Sequence, residues 1–431
     1  MSFSTQRLVA LQHRDFRLLW LGQLISVIGS QMQLVAVDWH IFQLLRGQSY
    51  TVSAWGWQIP LQAEALGLGA LGLVRILPIL VFGLLGGMLA DARDRRQLMM
   101  WTQATAALFA VMLAVITLTG HESVAAIYIL TAATAAASAF DNPARQALAP
   151  NLVPREHLTN AVSLNTLMWQ IATIVGPALA GVLVGFFDIG LVYLLNAVSF
   201  GAVLVALALM RYRGQVSLQN KGLSRASLME GLRFTYRSRL IWSTMLIDFF
   251  ATFFSSARTM LPIVASDMLG MGVQGYGLLA TAQPLGALLA GAILSLRQEI
   301  HRQGLALLVS VAIYGLATAL FGLSTMFGLS YVLFALTGAG DTVSTVIRGT
   351  LRQVMTPDHL RGRMVGVNML FFMGGPQLGE MEAGLVAAVL GVPFAIVSGG
   401  LATVFLTGWI AWQYPRLRRY TSTTAAEAVT P

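Results

Sequence analysis

Four acids and one arginine lie inside stretches that are otherwise apolar: Arg75, Asp248, Asp341, Glu380 and Glu382. A carboxylate near a bilayer midplane loses hydration, which favours its neutral form and lets it take up and release a proton. Counted at about 1.5 Å per residue, Arg75 and Asp341 each lie about 16 Å into their stretch, close to the midplane. Asp248 sits earlier in its stretch, whereas Glu380 and Glu382 sit toward the far end of theirs. Asp341 and Asp248, with Glu380 third, are the candidates for proton coupling. The alternative is a permanent ion pair for each acid, for Asp341 with Arg348 two helical turns on, or with Arg75. Arg75 itself either shapes the potential of a cavity, holds an acid or touches an anionic ligand. Asp38 and Arg258 fall near the outer ends of their stretches, Asp38 at the surface.

Aromatic residues crowd the same region. Phe249, Phe250, Phe253 and Phe254 follow Asp248, and Phe371 and Phe372 lie near the start of a later stretch. Such walls suit a planar amphipathic compound, with Phe249 and Phe253 as cavity candidates; lipid-facing or packing phenylalanines are the other reading. No cysteine is present and the six histidines are scattered, so thiolate chemistry is excluded and no metal ligand set is visible. No phosphate-cradling loop and no hydrolase or metalloprotease motif occurs. No cofactor and no enzymatic activity is expected, and ATP is not the energy source.

These groups need helices that cross a membrane to hold them. The chain has 431 residues, of which 56% are hydrophobic and 10% charged. A soluble domain carries about a quarter charged residues, so an ordinary soluble enzyme, a disordered chain and a nucleic-acid binder are excluded. A helix spans the hydrocarbon with about 20 apolar residues. Twelve stretches qualify: 16–45, 64–90, 98–120, 124–147, 159–187, 189–210, 240–266, 274–296, 304–327, 330–351, 364–390 and 392–412. With twelve spans, all of the 27 Lys and Arg except Arg46, Arg75 and Arg258 fall on one side. The positive-inside rule then puts both termini in the cytoplasm. Trp20, Trp101, Trp242 and Trp412 lie near that face, and Trp39, Trp55 and Trp57 near the other.

The spans divide six and six. Residues 1–212 form one bundle, 213–238 a basic cytoplasmic linker suited to lipid headgroups, 239–413 a second bundle and 414–431 a cytoplasmic tail. The halves repeat in the same orientation. Asn151-Leu152-Val153-Pro154-Arg155-Glu156-His157-Leu158 follows the fourth span and Gln353-Val354-Met355-Thr356-Pro357-Asp358-His359-Leu360 the tenth. Each is followed by an Asn (Asn165, Asn368) and a Gly-Pro (Gly176-Pro177, Gly375-Pro376). Parallel repeats of this kind mark transporters that rock about a midplane site. Spans three, six, nine and twelve carry no charge in their interiors, so they are the ones free to face lipid.

Between spans two and three, Gly87-Met88-Leu89-Ala90-Asp91-Ala92-Arg93-Asp94-Arg95-Arg96 resembles the loop signature of the major facilitator superfamily. Ala92 replaces an Arg of that signature and Asp94 a Gly. The Asp-Arg-Arg form is similar to the siderophore and drug exporters of the enterobactin-exporter type, and Arg75-Ile76-Leu77-Pro78 and Asp141-Asn142-Pro143-Ala144-Arg145-Gln146 extend the likeness. The resemblance covers nearly the whole chain. It implies an all-α membrane protein in which two pseudo-symmetric six-helix bundles form twelve transmembrane helices. It also implies a cytoplasmic gate of Gly87, Asp91, Arg95, Arg96 and Arg145, with Arg145 at the depth of Asp91; the alternative is that these charges only set topology.

Val175-Gly176-Pro177-Ala178-Leu179-Ala180-Gly181 on span five resembles the antiporter signature of proton-coupled drug exporters. Physically, Gly176 and Pro177 either line the cavity or serve close helix packing. The function implied is export of a small amphipathic or aromatic compound from the cytoplasm by proton antiport with alternating access. Its cargo is a siderophore or, in the rival reading, a drug such as a macrolide; a facilitator or lipid transporter of the same fold, and a membrane enzyme or sensor, are further alternatives. The expected partners are the small-molecule substrate, protons and the lipid bilayer of a bacterial inner membrane, with no nucleic acid, for a protein acting as a monomer.

Overall fold

The structure, a computed structural model, describes residues 6–54, 57–212, 225–296, 300–357 and 360–421. The expectations for Trp55, for residues 213–224 of the linker and for residues 422–431 of the tail lie outside the described residues. The chain is almost wholly helical: α1 Arg14–Leu45, α2 Ala63–Ala92, α3 Arg95–Leu118, α4 Val124–Leu148, α5 Leu158–Phe186, α6 Ile189–Leu209, α7 Arg225–Arg237, α8 Arg239–Phe254, α9 Leu261–Ile263, α10 Gly272–Leu296, α11 Gln303–Leu323, α12 Phe327–Met355, α13 Arg361–Leu390, α14 Val392–Gln413 and α15 Pro415–Arg418. Between α1 and α2, β1 Ser49–Ala54 and β2 Trp57–Gln62 pair antiparallel, a hairpin not foreseen from the hydropathy.

Among the described residues, eleven helical segments are long and apolar enough to cross a membrane. The remaining expected span is α13. At 30 residues it has the length, but Gln377, Glu380 and Glu382 in its middle reduce its apolarity. Polar groups inside a span belong where the helix faces protein or a cavity instead of lipid.

Two compact units emerge, residues 1–44 with 74–222 and residues 45–73 with 223–431. The first unit builds its core at its arginine-rich end from Phe16, Leu19, Met99, Leu148, Leu164 and Leu207. Asp94, at the position where the superfamily signature has Gly, caps α3 by accepting from the backbone N–H of Arg96 at 2.9 Å and Gln97 at 3.3 Å. An acid there satisfies two of the orphan donors of the first turn. The second unit packs Ile247, Val311, Ile347, Leu351 and Ile410 into one core. In it Leu417 and Tyr420 are buried, and Gly304 N–H donates to Tyr420 O at 3.0 Å. The start of the expected tail is therefore docked against α11, and burial raises the Tyr420 phenol above its ordinary pKa.

The charge-free spans present the stripes expected of lipid-facing helices. On α11, Leu305, Val309, Ile313, Leu316, Leu320 and Leu323 are all exposed, and their spacing of three and four traces one helix face. The described half of the linker is the helix α7, tied to α13 by Glu230 and Arg363 at 2.5 Å. Its Met229, Leu232 and Tyr236 stay exposed on one face.

Candidate functional site

In the second unit the charges converge on α12. Asp341, Thr345, Arg348 and Arg352 are spaced four, three and four apart, which places them on one face of that helix. Opposite them, α8 presents Thr244 and Asp248. Arg348 Nη2 lies 3.0 Å from Asp248 Oδ1 and 3.5 Å from Asp341 Oδ1, and donates to Thr345 Oγ1 at 2.9 Å. Arg352 Nη2 lies 3.3 Å from Asp248 Oδ2 and donates to Thr244 O at 3.1 Å, and its Nη1 donates to Asn368 Oδ1 on α13.

The two arginines and Asp248 are buried, whereas the Asp341 side chain is 43% exposed. With both acids ionised the cluster is neutral; a proton on Asp341 leaves it with one net positive charge. Arg348 Nε has no hydrogen-bond partner among the described residues, so the cluster is not fully satisfied and has a donor in reserve.

Sequence reasoning found both acids and named Arg348 as one of two alternative partners for Asp341, but counted Arg352 only toward topology. The signal that marks Arg348 and Arg352 was present in their one-face spacing with Asp341. Of the two pairings open to Asp341, the structure has Arg348. Phe249 and Phe253 stack with centroids 5.6 Å apart, and Phe371 meets Phe249 edge-on at 6.1 Å. Glu380 is buried against α2: a Cβ on Gly72 would meet Glu380 Cβ at 2.9 Å. Glu382 is half-buried.

In the first unit, Arg75 Nη2 lies 2.5 Å from Asp38 Oδ1. The expectation of Asp38 at the outer surface is corrected: its side chain is 2% exposed, because α1 turns it toward the arginine on α2. His40 Nδ1 and Tyr193 OH lie 3.2 Å apart on α1 and α6 nearby. Gly176 and Pro177 are buried at the contact of α5 with α1, where a Cβ on Gly176 would meet Ile28 O at 3.0 Å.

Of the gate residues, the Asp91 side chain lies outside the described residues. Arg95 donates to Ala90 O and Ala147 O, each at 3.3 Å, and Arg96 donates to Ala208 O at 3.0 Å. These arginines thus tie the ends of α2, α4 and α6 to α3. A Cβ on Gly87 would meet nothing within 4 Å. Arg145 donates to Gln23 Oε1 on α1 at 2.9 Å and to Asn142 Oδ1, lies 4.0 Å from Asp141 Oδ2, and stands 5.3 Å above the Trp169 ring on α5. Asp141 in turn accepts from Thr102 at 2.8 Å and Gln103 at 2.9 Å. Between α1, α4 and α5 lies a cavity of about 340 Å³. Of its wall, Gln23 and Trp169 were not singled out from the sequence, and Trp20 was read there only as an interfacial tryptophan near the arginine-rich face.

Residues 5–429 match the model of the MFS_3 family, described as transmembrane secretion effectors. The chain belongs to that family. Among its relatives, the enterobactin exporter EntS of Salmonella choleraesuis is 30% identical over 401 residues, covering 91% of each chain. That of Shigella boydii is 27% identical over 414 residues, covering 95% of this chain and 94% of that one. A bacterial homologue of the human lysosomal transporter Spinster, solved inward-facing and occupied, superposes with a TM-score of 0.71 at 13% identity, covering 95% of this chain and 99% of that one. A bacterial homologue of the iron transporter ferroportin does so at 0.66 and 19% identity, covering 93% and 98%. These structures establish the fold. The chain is a multi-pass membrane transporter with the major facilitator fold.

Proposed function

We propose that the protein exports a small amphipathic or aromatic compound of the siderophore class from the cytoplasm, by proton antiport with alternating access. The single observation that carries the coupling is that Arg348 serves two acids, Asp248 at 3.0 Å and Asp341 at 3.5 Å, of which only Asp341 has an exposed side chain. A proton arriving on Asp341 cancels its charge and weakens its hold on Arg348, which then belongs to Asp248 alone. Loss of the proton restores the shared state. The cluster therefore has two charge arrangements, and a conformational equilibrium that distinguishes them is driven by protonation.

Siderophore cargo rests on the likeness to enterobactin exporters, and the arginine excess assigns the termini to the cytoplasmic side. On that assignment Asp91, Arg95, Arg96 and Arg145 stand at the cytoplasmic gate, and the bundles 1–212 and 239–413 rock against each other.

The test is proton-gradient-driven uptake into inside-out vesicles, with a catechol siderophore beside several hydrophobic drugs and a macrolide. Siderophore uptake that collapses on adding an uncoupler and in Asp341→Asn supports the reading. Uptake of drugs alone assigns the pump to multidrug efflux, for which the stacked Phe249 and Phe253 would be the wall. Uptake indifferent to the gradient removes the coupling mechanism.

A further inference from the structure

The helix α7 docks one face on its neighbours and leaves the opposite face bare. On the docked side Phe234 packs against a core of Ile241, Met245, Met364 and Val367, and Thr235 is buried. Glu230 and Arg363 pair at 2.5 Å, which ties the helix to the start of α13. The bare face carries Met229, Leu232 and Tyr236, spaced three and four apart and 62%, 41% and 67% exposed in the full chain. One step round the helix, Arg233 and Arg237 are also exposed, four residues apart along one edge of that stripe. The helix holds three arginines against one acid, and that acid, Glu230, is engaged by Arg363.

The level of α7 in the membrane follows from its junction with α8. Only Ser238, with φ −80° and ψ 90°, separates the two helices, so the chain turns there without a loop. With α8 begins a segment, Arg239–Met268, that is long and apolar enough to cross a membrane. The end of α7 is therefore held at the border of hydrocarbon and water. Tyr236 meets Trp242 of α8 edge-on at that border, with ring centroids 5.4 Å apart. Tyr and Trp favour this level because an apolar ring carries a polar O–H or N–H. A helix fixed there, with a bare apolar stripe and cations along its edge, has the pattern of one lying in the interface plane.

We propose that the bare face of α7 docks on the membrane surface and selects anionic phospholipid. Met229, Leu232 and Tyr236 enter the layer beneath the headgroups, while Arg233 and Arg237 donate to phosphate oxygens from the edge. An apolar stripe alone accepts any lipid; the two arginines supply the preference for negative charge. Through Glu230 and Arg363 the docked helix holds the start of α13 at the same level. The proposal requires only that the chain spans a membrane, and it is independent of cargo and of proton coupling.

The chain has no cysteine, so Leu232→Cys provides a single site for a fluorophore on the stripe. The labelled full chain is placed in phosphatidylcholine nanodiscs with an equal small fraction of nitroxide-bearing phosphatidylglycerol or nitroxide-bearing phosphatidylcholine. Both lipids are expected to quench, with phosphatidylglycerol favoured at least about fivefold, the effect of one arginine near an anionic surface. Arg233→Gln combined with Arg237→Gln should bring the two lipids level while quenching persists. Equal quenching before those substitutions, or a preference that survives them, overturns the proposal. So does a fluorophore that aqueous acrylamide quenches and neither lipid reaches. Shielding from acrylamide and from both lipids would mean that a second copy or another protein covers the face, and overturns it too. Should Leu232→Cys fail to assemble, Met229→Cys, on the more exposed side chain, decides.

Discussion

Arg348 on α12 places Nη2 3.0 Å from Oδ1 of Asp248 on α8, with both side chains almost sealed from solvent. Removing one partner of a buried pair leaves an uncompensated charge, which costs about 3–5 kcal/mol. Asp248→Asn is expected to lower thermal stability in detergent by an amount of that order. The double variant Asp248→Asn with Arg348→Gln returns the cluster to neutrality and should recover at least half of the loss. A single variant as stable as the parent would refute the pairing.

Asp341 shares the same arginine at the longer distance of 3.5 Å and with its side chain 43% exposed. Its pair is expected to contribute little to stability, about 1 kcal/mol or less. Asp341→Asn should therefore unfold close to the parent temperature while losing gradient-driven uptake. Thermal unfolding and vesicle uptake measured on one preparation separate the two effects. Strong destabilisation with retained coupling would reverse the roles assigned to Asp341 and Asp248.

Arg75 and Asp38 meet at 2.5 Å inside the first unit. Either single neutralisation, Asp38→Asn or Arg75→Gln, is expected to destabilise by roughly 3 kcal/mol. The double variant should lose clearly less than the sum, with a coupling of roughly 1–3 kcal/mol in a double-mutant cycle. Additive losses would show that the two side chains act independently.

Within the second unit, the start of α2 crosses α13 backbone to backbone. A Cβ on Gly69 would stand 2.7 Å from the Cα of Gly384, closer than a methyl group tolerates. Gly69→Ala is expected to cost about 1–3 kcal/mol through overpacking. Gly201→Ala on α6, where the added Cβ meets nothing within 4 Å, should cost nothing and gain up to about 1 kcal/mol of helix propensity. Thermal unfolding of the two variants side by side provides the comparison.

Much of the architecture is readable along the chain because a bilayer imposes a one-dimensional rule. A span must be about 20 residues of mostly apolar side chains, so hydropathy alone counts the helices. Charge-free spans must be the ones that tolerate lipid, and the stripe from Leu305 to Leu323 on α11 has the exposure that this rule requires. The exception is instructive. Glu380 and Glu382 make α13 the least apolar of the twelve, and Gly72 and Gly69 on α2 leave room for it at their contact.

Depth within a span is also a one-dimensional quantity, which is why Asp248 and Asp341 could be singled out before any helix was placed. Facing is not. Whether Arg348 turns to Asp341, seven residues back on its own helix, or to Asp248, a hundred residues away, depends on how α8 and α12 pack; it reaches both. Asp38 was misplaced for the same reason, since counting residues along α1 does not reveal that Arg75 on α2 meets it. Composition and spacing alone determined that this chain crosses a membrane as two repeated helical halves and which acids fall inside its apolar stretches. Tertiary packing decided which arginine answers which acid, because ion pairs depend on distances between helices that the chain order leaves open.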